Sequence, residues 1–308
     1  MGKQAKRGHT PANWLTDLAL RTVIALALVL PYAVRVRFFG WATRNLIAPL
    51  AGYQRRAEAN LALVYPDMPP AQRRRIARAV ADNAGRTLIE NYSTRDFLER
   101  AAGITPTGPG MAALQAARDA GRPVILVTGH FGNYEAARAA LVSRGYDIGG
   151  LYRPMANPFF NAHYVRTMQA YGGPIFAQGR RGTTGFVRHL RSGGILVLLT
   201  DQHNRRGTDL QFMGHPARTA LSAAELALRY GADLIPFYAT RQPDGLSFAV
   251  TLEAPVPHST PTQMMQTLND SLEARVREHP EQWFWVHRRW KQRVRRARSG
   301  VGASPKAP

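Results

Sequence analysis

The chain has 308 residues, 45% of them hydrophobic, enough for one sizeable core. It contains no cysteine, which excludes disulfides, thiolate nucleophiles and Cys-ligated metals and fits a reducing compartment. The net charge of +21, from 41 Lys and Arg against 20 Asp and Glu, favours polyanions: nucleic acid, an anionic lipid surface, or acidic substrates and carriers.

Lys3, Lys6 and Arg7 precede an apolar stretch from Thr22 to Val34, bounded by Arg21 and Arg35. At about 13 residues it falls short of the roughly 20 of a spanning helix. Extended back to Trp14 it gains Leu15, Leu18 and Leu20 but takes in Asp17 and Arg21. Phe38, Phe39 and Trp41 follow among Arg35, Arg37 and Arg44, the mixture of aromatic and basic residues found at membrane interfaces. Residues 1–45 are expected to form an uncleaved anchor, monotopic or marginally spanning. A buried core helix is one alternative. A cleaved signal peptide is another, opposed by the arginines behind the apolar run and by the lack of a clear small-residue cleavage site.

Residues 46–105 read as helical. Pro69 and Pro70 precede Ala71–Asn83, where Ile76, Ala79, Val80 and Asn83 recur at helical spacing. Gly103 to Gly110, with Pro106 and Pro109, reads as a loop. From Met111 onward helices and short strands alternate. The expected strands are Val124–Thr128, Ile148–Tyr152, Pro174–Ala177, Ile195–Thr200, Leu234–Thr240 and Leu246–Leu252. The expected helices are Met111–Ala120, Asn133–Ser143, Pro158–Ala170, Thr183–Arg191, Thr219–Tyr230 and Pro261–His279. Such alternation predicts an α/β domain over 46–292, with a mixed, largely parallel sheet flanked by helices. Gln242-Pro-Asp-Gly245 joins the last two strands as a hairpin. Residues 293–308 form a basic tail expected to be disordered.

Five blocks carry candidate chemistry. In the first, His130-Phe-Gly-Asn-Tyr-Glu135 follows a buried strand and opens a helix, the corner where α/β enzymes place their sites. Five residues along a continuous helix is about 140° of rotation, so His130 and Glu135 meet only if His130 sits in the turn before the helix. A carboxylate beside an imidazole makes a general base. The alternative is a structural histidine and a surface glutamate. In the second, Tyr152-Arg-Pro-Met-Ala-Asn-Pro158, Arg153 sits at the carboxyl edge of the sheet, where it can hold a phosphate or an oxyanion. In the third, Asp201 directly follows the apolar run of Gly193-Gly-Ile-Leu-Val-Leu-Leu-Thr200. Metal ligation by His130, Glu135, Asp201 and His203 is conceivable, but nothing in the spacing requires it, and no metal is expected. The fourth, Phe212-Met-Gly-His-Pro-Ala-Arg-Thr219, leads into a helix with small residues. The fifth, Pro280-Glu-Gln-Trp-Phe-Trp-Val-His-Arg-Arg-Trp-Lys291, mixes tryptophan and basic residues as at a membrane interface or a base-stacking surface.

Together the five blocks, in this order over roughly residues 53–291, resemble the bacterial lipid A late acyltransferases of lauroyl/myristoyl type and their relatives that acylate other glycolipids. Asn60-Leu61 and Pro66 are similar to the family's early region. The resemblance implies a glycerol-phosphate acyltransferase-like fold. It implies O-acyl transfer from a thioester donor, acyl carrier protein or coenzyme A, to a hydroxyl of a membrane glycolipid such as a lipid A precursor or a phosphatidylinositol mannoside. His130 is then the general base and Glu135 its orienting acid. Arg153 and the N–H groups near Gly132 and Asn133 are oxyanion candidates, and Arg180, Arg181, Asp201 and Arg218 are candidates for phosphate or sugar contacts. No enzyme nucleophile and no cofactor are needed. Expected partners are anionic lipids, the donor and the acceptor, with no nucleic acid; the expected place is the cytoplasmic face of the bacterial inner membrane. A nucleic-acid-binding protein and a metal-dependent hydrolase are the readings from other classes.

Overall fold

A computed structural model of the chain describes residues 8–290; the tail expected at 293–308 lies outside them. The N-terminal part is helical: α1 (Pro11–Val29), α2 (Tyr32–Ala42), a π-helical turn (Thr43–Ile47), α3 (Ala48–Leu50), α4 (Tyr53–Val64), α5 (Pro70–Tyr92) and α6 (Thr94–Ala102). Then follow α7 (Gly110–Asp119), β1 (Val124–Thr128), α8 (Tyr134–Val142), β2 (Ile148–Tyr152), α9 (Pro158–Ala170), β3 (Ile175–Ala177), α10 (Arg180–Arg191) and β4 (Ile195–Leu199). The chain closes with β5 (Thr208–Phe212), β6 (His215–Thr219), α11 (Ser222–Tyr230), β7 (Asp233–Arg241), β8 (Phe248–Leu252) and α12 (Pro261–Glu278).

Local sequence sets these boundaries. Asn133 caps α8 by accepting the Glu135 N–H, and Asn157 caps α9 by accepting from Phe159 and Phe160, ahead of a proline in the first turn. Thr260 and Gln263 close a capping box on α12.

Six strands pair in the order β3-β2-β4-β1-β7-β8, parallel except for the β7–β8 hairpin. The mixed, largely parallel sheet flanked by helices is as expected. Every residue of β1 is buried because both faces are covered. Val124 and Leu126 pack with Leu114, Ala136 and Ala139 of α7 and α8. Ile125 and Val127 face the opposite layer, with Phe186, Ala224 and Leu268 of α10, α11 and α12. The chain leaves β1 toward β2 on one side and leaves β4 toward β7 on the other, so the topological switch point lies between the adjacent strands β1 and β4, and ligand sites of open α/β sheets lie at the carboxyl ends of strands there.

The α1 helix is long and apolar enough to cross a membrane, and only 11% of its apolar window is buried. Trp14, Leu15, Leu18, Leu26 and Val29 are exposed. Beyond it, α2 packs on α5, burying Tyr32, Arg35, Val36 and Gly40. Gly85 permits that approach: a Cβ there would stand 2.4 Å from the Phe39 carbonyl oxygen and from Thr43 Oγ1. The β5–β6 hairpin does not appear among the expected strands. Three of the five β5 residues are exposed, and the turn carries Met213 at φ 54 beside Gly214.

Candidate active site

Strand register brings the chemistry together. Thr128 of β1 lies level with Leu199 of β4, and the Thr200 N–H donates to the Thr128 carbonyl at 3.1 Å. The same offset, carried two residues on, sets His130 beside Asp201. Asp201 Oδ1 stands 2.7 Å from His130 Nδ1, and Oδ2 accepts the His130 backbone N–H at 2.8 Å and the Trp283 indole N–H at 2.9 Å. An ionised carboxylate only accepts, so Nδ1 carries a proton, and in the neutral ring it is Nε2 that presents the lone pair. Burial alone would raise the Asp201 carboxyl, but the charge and hydrogen bonds of His130, with a further contribution from His287, hold it well below the usual carboxylate range.

The expected bond between His130 and Glu135 is replaced by this one. Glu135 lies in the first turn of α8, and its Oε2 accepts from Arg138, one turn on, at 3.1 Å. Arg138 reaches the carbonyls of Ile148 and Gly172, so the pair ties α8 to β2 and to the end of α9. Among the described residues, His130 and Asp201 gather with His287, one ligand atom of each within 4.8 Å of the others, and neither Glu135 nor His203 belongs to that group.

The oxyanion expectation for the helix start also changes. The Gly132 N–H donates to the Gln282 carbonyl at 2.9 Å and the Asn133 N–H to the Ala239 carbonyl at 3.3 Å, so both amides are already engaged. Gly132 has φ +54, and a Cβ on it would come 1.9 Å from the Ala239 oxygen, so only glycine fits this turn. The Asn133 side chain donates to buried Glu90 at 2.9 Å.

Two cavities meet at His130. One, of about 360 Å³, is apolar, walled by Ala77, Val80, Ala81, Ala84 and Leu88 of α5 with Ile47, Phe284 and Val286. The other, of about 470 Å³, is polar, and Glu135, Arg138, Arg153, Tyr164, Gln178 and Gln202 line it. Tyr134 borders both. Burial and the Glu135 charge push its phenol well above the usual range, which keeps it a neutral hydroxyl. Arg153 follows β2, the strand beyond β4, and reaches the polar cavity as its position in the sequence implies. Arg180 and Arg181 line a separate basic depression with Arg188. Arg218 pairs with Asp209 across the β5–β6 hairpin at 3.3 Å. Neither Arg180 nor Arg218 lines the cavities at His130.

The tryptophan-rich block is core rather than membrane interface. Trp283 and Trp285 are completely buried, Trp283 against Phe212 and Trp285. Asn60 of α4 fixes the segment by donating to the carbonyls of Trp285 and His287 at 2.6 and 2.9 Å. His287 stacks edge-to-face on His130, with ring centroids 4.4 Å apart. Sequence reasoning missed Trp283 and His287 as site residues, because a polar motif next to tryptophans carries no sign of which strand end it will cover.

Burial, then the nearby charges of His130 and Arg289, push His287 down to about 4, against the pull of Asp201. An unfolded chain binds a proton at this imidazole below about pH 6.5, whereas the folded chain does so only near pH 4. Stability from this group is therefore complete above about pH 6.5 and declines as the pH falls toward 4, by about 3 kcal/mol in all. Urea unfolding at pH 7 and pH 5 is expected to show the decline in wild type and a shallower one in His287→Phe.

An imidazole anchored on a buried carboxylate, at the junction of an apolar and a polar cavity, is a candidate acid–base site at the strand ends of an α/β fold. The chain belongs to the bacterial lipid A biosynthesis acyltransferase family, whose sequence model matches residues 1–292, and it is an O-acyltransferase. It is 27% identical to a lipid A biosynthesis lauroyltransferase of Escherichia coli K12 over 92% of this chain and 93% of that protein. It is 25% identical to a lipid A biosynthesis palmitoleoyltransferase of the same organism, over 92% and 93%. A phosphatidylinositol mannoside acyltransferase of Mycobacterium tuberculosis CDC 1551 is 23% identical over 59% of this chain and 58% of that protein.

Proposed function

We propose that the protein moves a fatty acyl chain from a thioester donor to a hydroxyl of a lipid A precursor, with His130 as general base and Asp201 as the group that orients it. The observation that carries this reading is the position of His130 between an apolar cavity suited to an acyl chain and a polar one suited to a sugar head group. His130 Nε2 takes the proton of the acceptor hydroxyl as its oxygen attacks the thioester carbonyl. The tetrahedral intermediate collapses with cleavage of the C–S bond, and the imidazolium returns its proton to the leaving thiolate. Asp201 stabilises the imidazolium in between. Arg153 faces the polar cavity and serves the acceptor's phosphate or the oxyanion. Glu135 acts at one remove, through Arg138.

A lipid A precursor is favoured over a phosphatidylinositol mannoside because the lipid A relatives align over nine-tenths of the chain. Acyl carrier protein or coenzyme A presents the donor, and no cofactor takes part. The α1 helix holds the enzyme on the cytoplasmic face of the inner membrane. Exposed Phe38, Trp41, Leu46, Ile47 and Leu50 extend its apolar surface, and exposed basic residues such as Arg37 face anionic head groups at about 1 kcal/mol each. The protein is expected to remain in carbonate-washed membranes; release into the wash would argue against the anchor.

Mass spectrometry of membrane lipids tests the whole reading. A strain lacking the gene is expected to accumulate a lipid A species short of one acyl chain, restored by the wild-type gene and not by His130→Ala. An unchanged lipid A profile with a deficit in another glycolipid would reassign the acceptor.

A further inference from the structure

His287 is the one imidazole among the described residues whose ring packs on that of His130, centroids 4.4 Å apart and planes at 75°. Phe284 also packs edge-to-face with it, centroids 4.9 Å apart. A ring nitrogen of each histidine and a carboxylate oxygen of Asp201 lie within 4.8 Å of one another. The His287 Nε2 is buried and has no hydrogen-bond partner among the described residues. An unpartnered buried nitrogen is costly, and an apolar residue of similar shape would avoid that cost. Its backbone is fixed, with the N–H on the Phe284 carbonyl and the carbonyl on Asn60, so the ring is held where it is and does not drift there.

Asp201 bonds Nδ1 of His130 and so fixes one edge of that ring. Nothing in that bond fixes the tilt of the ring about the Nδ1 axis, and tilt decides where the Nε2 lone pair points. The T-shaped packing of His287 with His130 is therefore the second constraint. The charges around His287 are Asp201 after β4, His130 after β1, Arg289 on its own segment and Arg56 on α4, whose guanidinium reaches the Val286 carbonyl. Burial holds His287 neutral through the physiological range. Two adjacent imidazolium ions beside a single carboxylate would repel each other.

We infer that His287 is a positioning residue for acyl transfer: its ring, packed edge-to-face with that of His130, sets the tilt of the base. This rests on the reading of His130 as the base. In each turnover one O–H bond of the acceptor breaks and one N–H bond forms at His130 Nε2. The proton then passes to the thiolate as the C–S bond breaks. His287 exchanges no proton at any step.

Steady-state kinetics and pH profiles of three variants test the inference. His287→Phe keeps an edge-to-face ring and is expected to stay within about threefold of wild-type kcat. His287→Ala is expected to lose about 10²-fold in kcat with KM for the donor little changed, because a misaligned base affects the chemical step and not binding. His287→Lys places a fixed cation beside His130. It is expected to lower kcat further and to move the acid limb of its pH profile to lower pH, since a positive neighbour disfavours the imidazolium. If His287→Phe is as impaired as His287→Ala, the ring nitrogen is required and the inference is wrong. It is equally wrong if His287→Ala keeps full kcat. Should His287→Ala fail to fold, His287→Phe and His287→Lys still decide, because only the second should shift the acid limb. Activity retained in His130→Ala would instead overturn the base assignment, whatever the His287 variants do.

Discussion

Asp201→Asn is expected to lower kcat for acyl transfer by about 10³ to 10⁴-fold, with donor and acceptor KM little altered. The carboxylate accepts from Nδ1 and thereby leaves the lone pair of the neutral ring on Nε2, in a side chain that lines both cavities. An asparagine keeps the shape, but its amide group can donate to Nδ1 and stabilise the opposite tautomer, with the proton on Nε2 and no base for the acceptor. It also removes the negative charge that stabilises the imidazolium. His130→Ala is expected to show a loss of similar size. Glu135→Gln is the informative control, because the glutamine can still accept from Arg138. Its kcat is expected to remain at least about tenfold above that of Asp201→Asn, since Glu135 reaches the chemistry only through Arg138. Single-turnover rates for the three variants would measure the chemical step directly. A Glu135→Gln protein with native circular dichroism and a rate as low as Asp201→Asn would return the orienting role to Glu135.

The strand-and-helix order was legible because the signals are local. Strands such as Val124–Thr128 are short β-branched or leucine-rich runs, and helices such as α9 and α12 begin at a side-chain cap followed by proline. His130, Asp201 and Arg153 were legible as candidates for the same reason: each follows a strand of the sheet, and parallel strands end on one edge. The partner of His130 was not. The pairing of β1 with β4 depends on strand order, so sequence proximity pointed to Glu135, five residues away, while register supplied Asp201, which lies 71 residues away. The aromatic block was misread for a related reason. Tryptophan beside arginine suits both a membrane interface and a buried cluster, and only the packing of α4, α5 and α12 around residues 283–290 decides between them. The β5–β6 hairpin has an amphipathic pattern and an αL turn at a methionine, neither of which marks a strand in advance.

Glu90→Ala is expected to destabilise the protein by about 3 to 5 kcal/mol and to lower kcat as well. Glu90 is completely buried on α5 and accepts from both terminal nitrogens of Arg241, at 2.5 and 2.7 Å. Arg241 in turn donates to Asn83 at 2.7 Å, and its backbone exchanges two hydrogen bonds with the Gln282 side chain. Removing the carboxylate leaves a guanidinium buried without its counter-ion, which costs far more than the pair contributes when intact. The same carboxylate accepts from the Asn133 side chain, which caps α8, and the Gln282 carbonyl accepts from Gly132. The network therefore braces the turn that presents His130 against α5 and the end of β7. The double variant Glu90→Leu with Arg241→Met removes both charges and is expected to recover most of the stability, as buried ion pairs replaced by apolar residues of similar volume often do. It is not expected to recover kcat, because the side chains of Asn133 and Asn83 would still lack their partners. Urea midpoints set beside kcat for the single and double variants separate the two effects. Recovery of both together would mean that the network stabilises the fold without positioning His130.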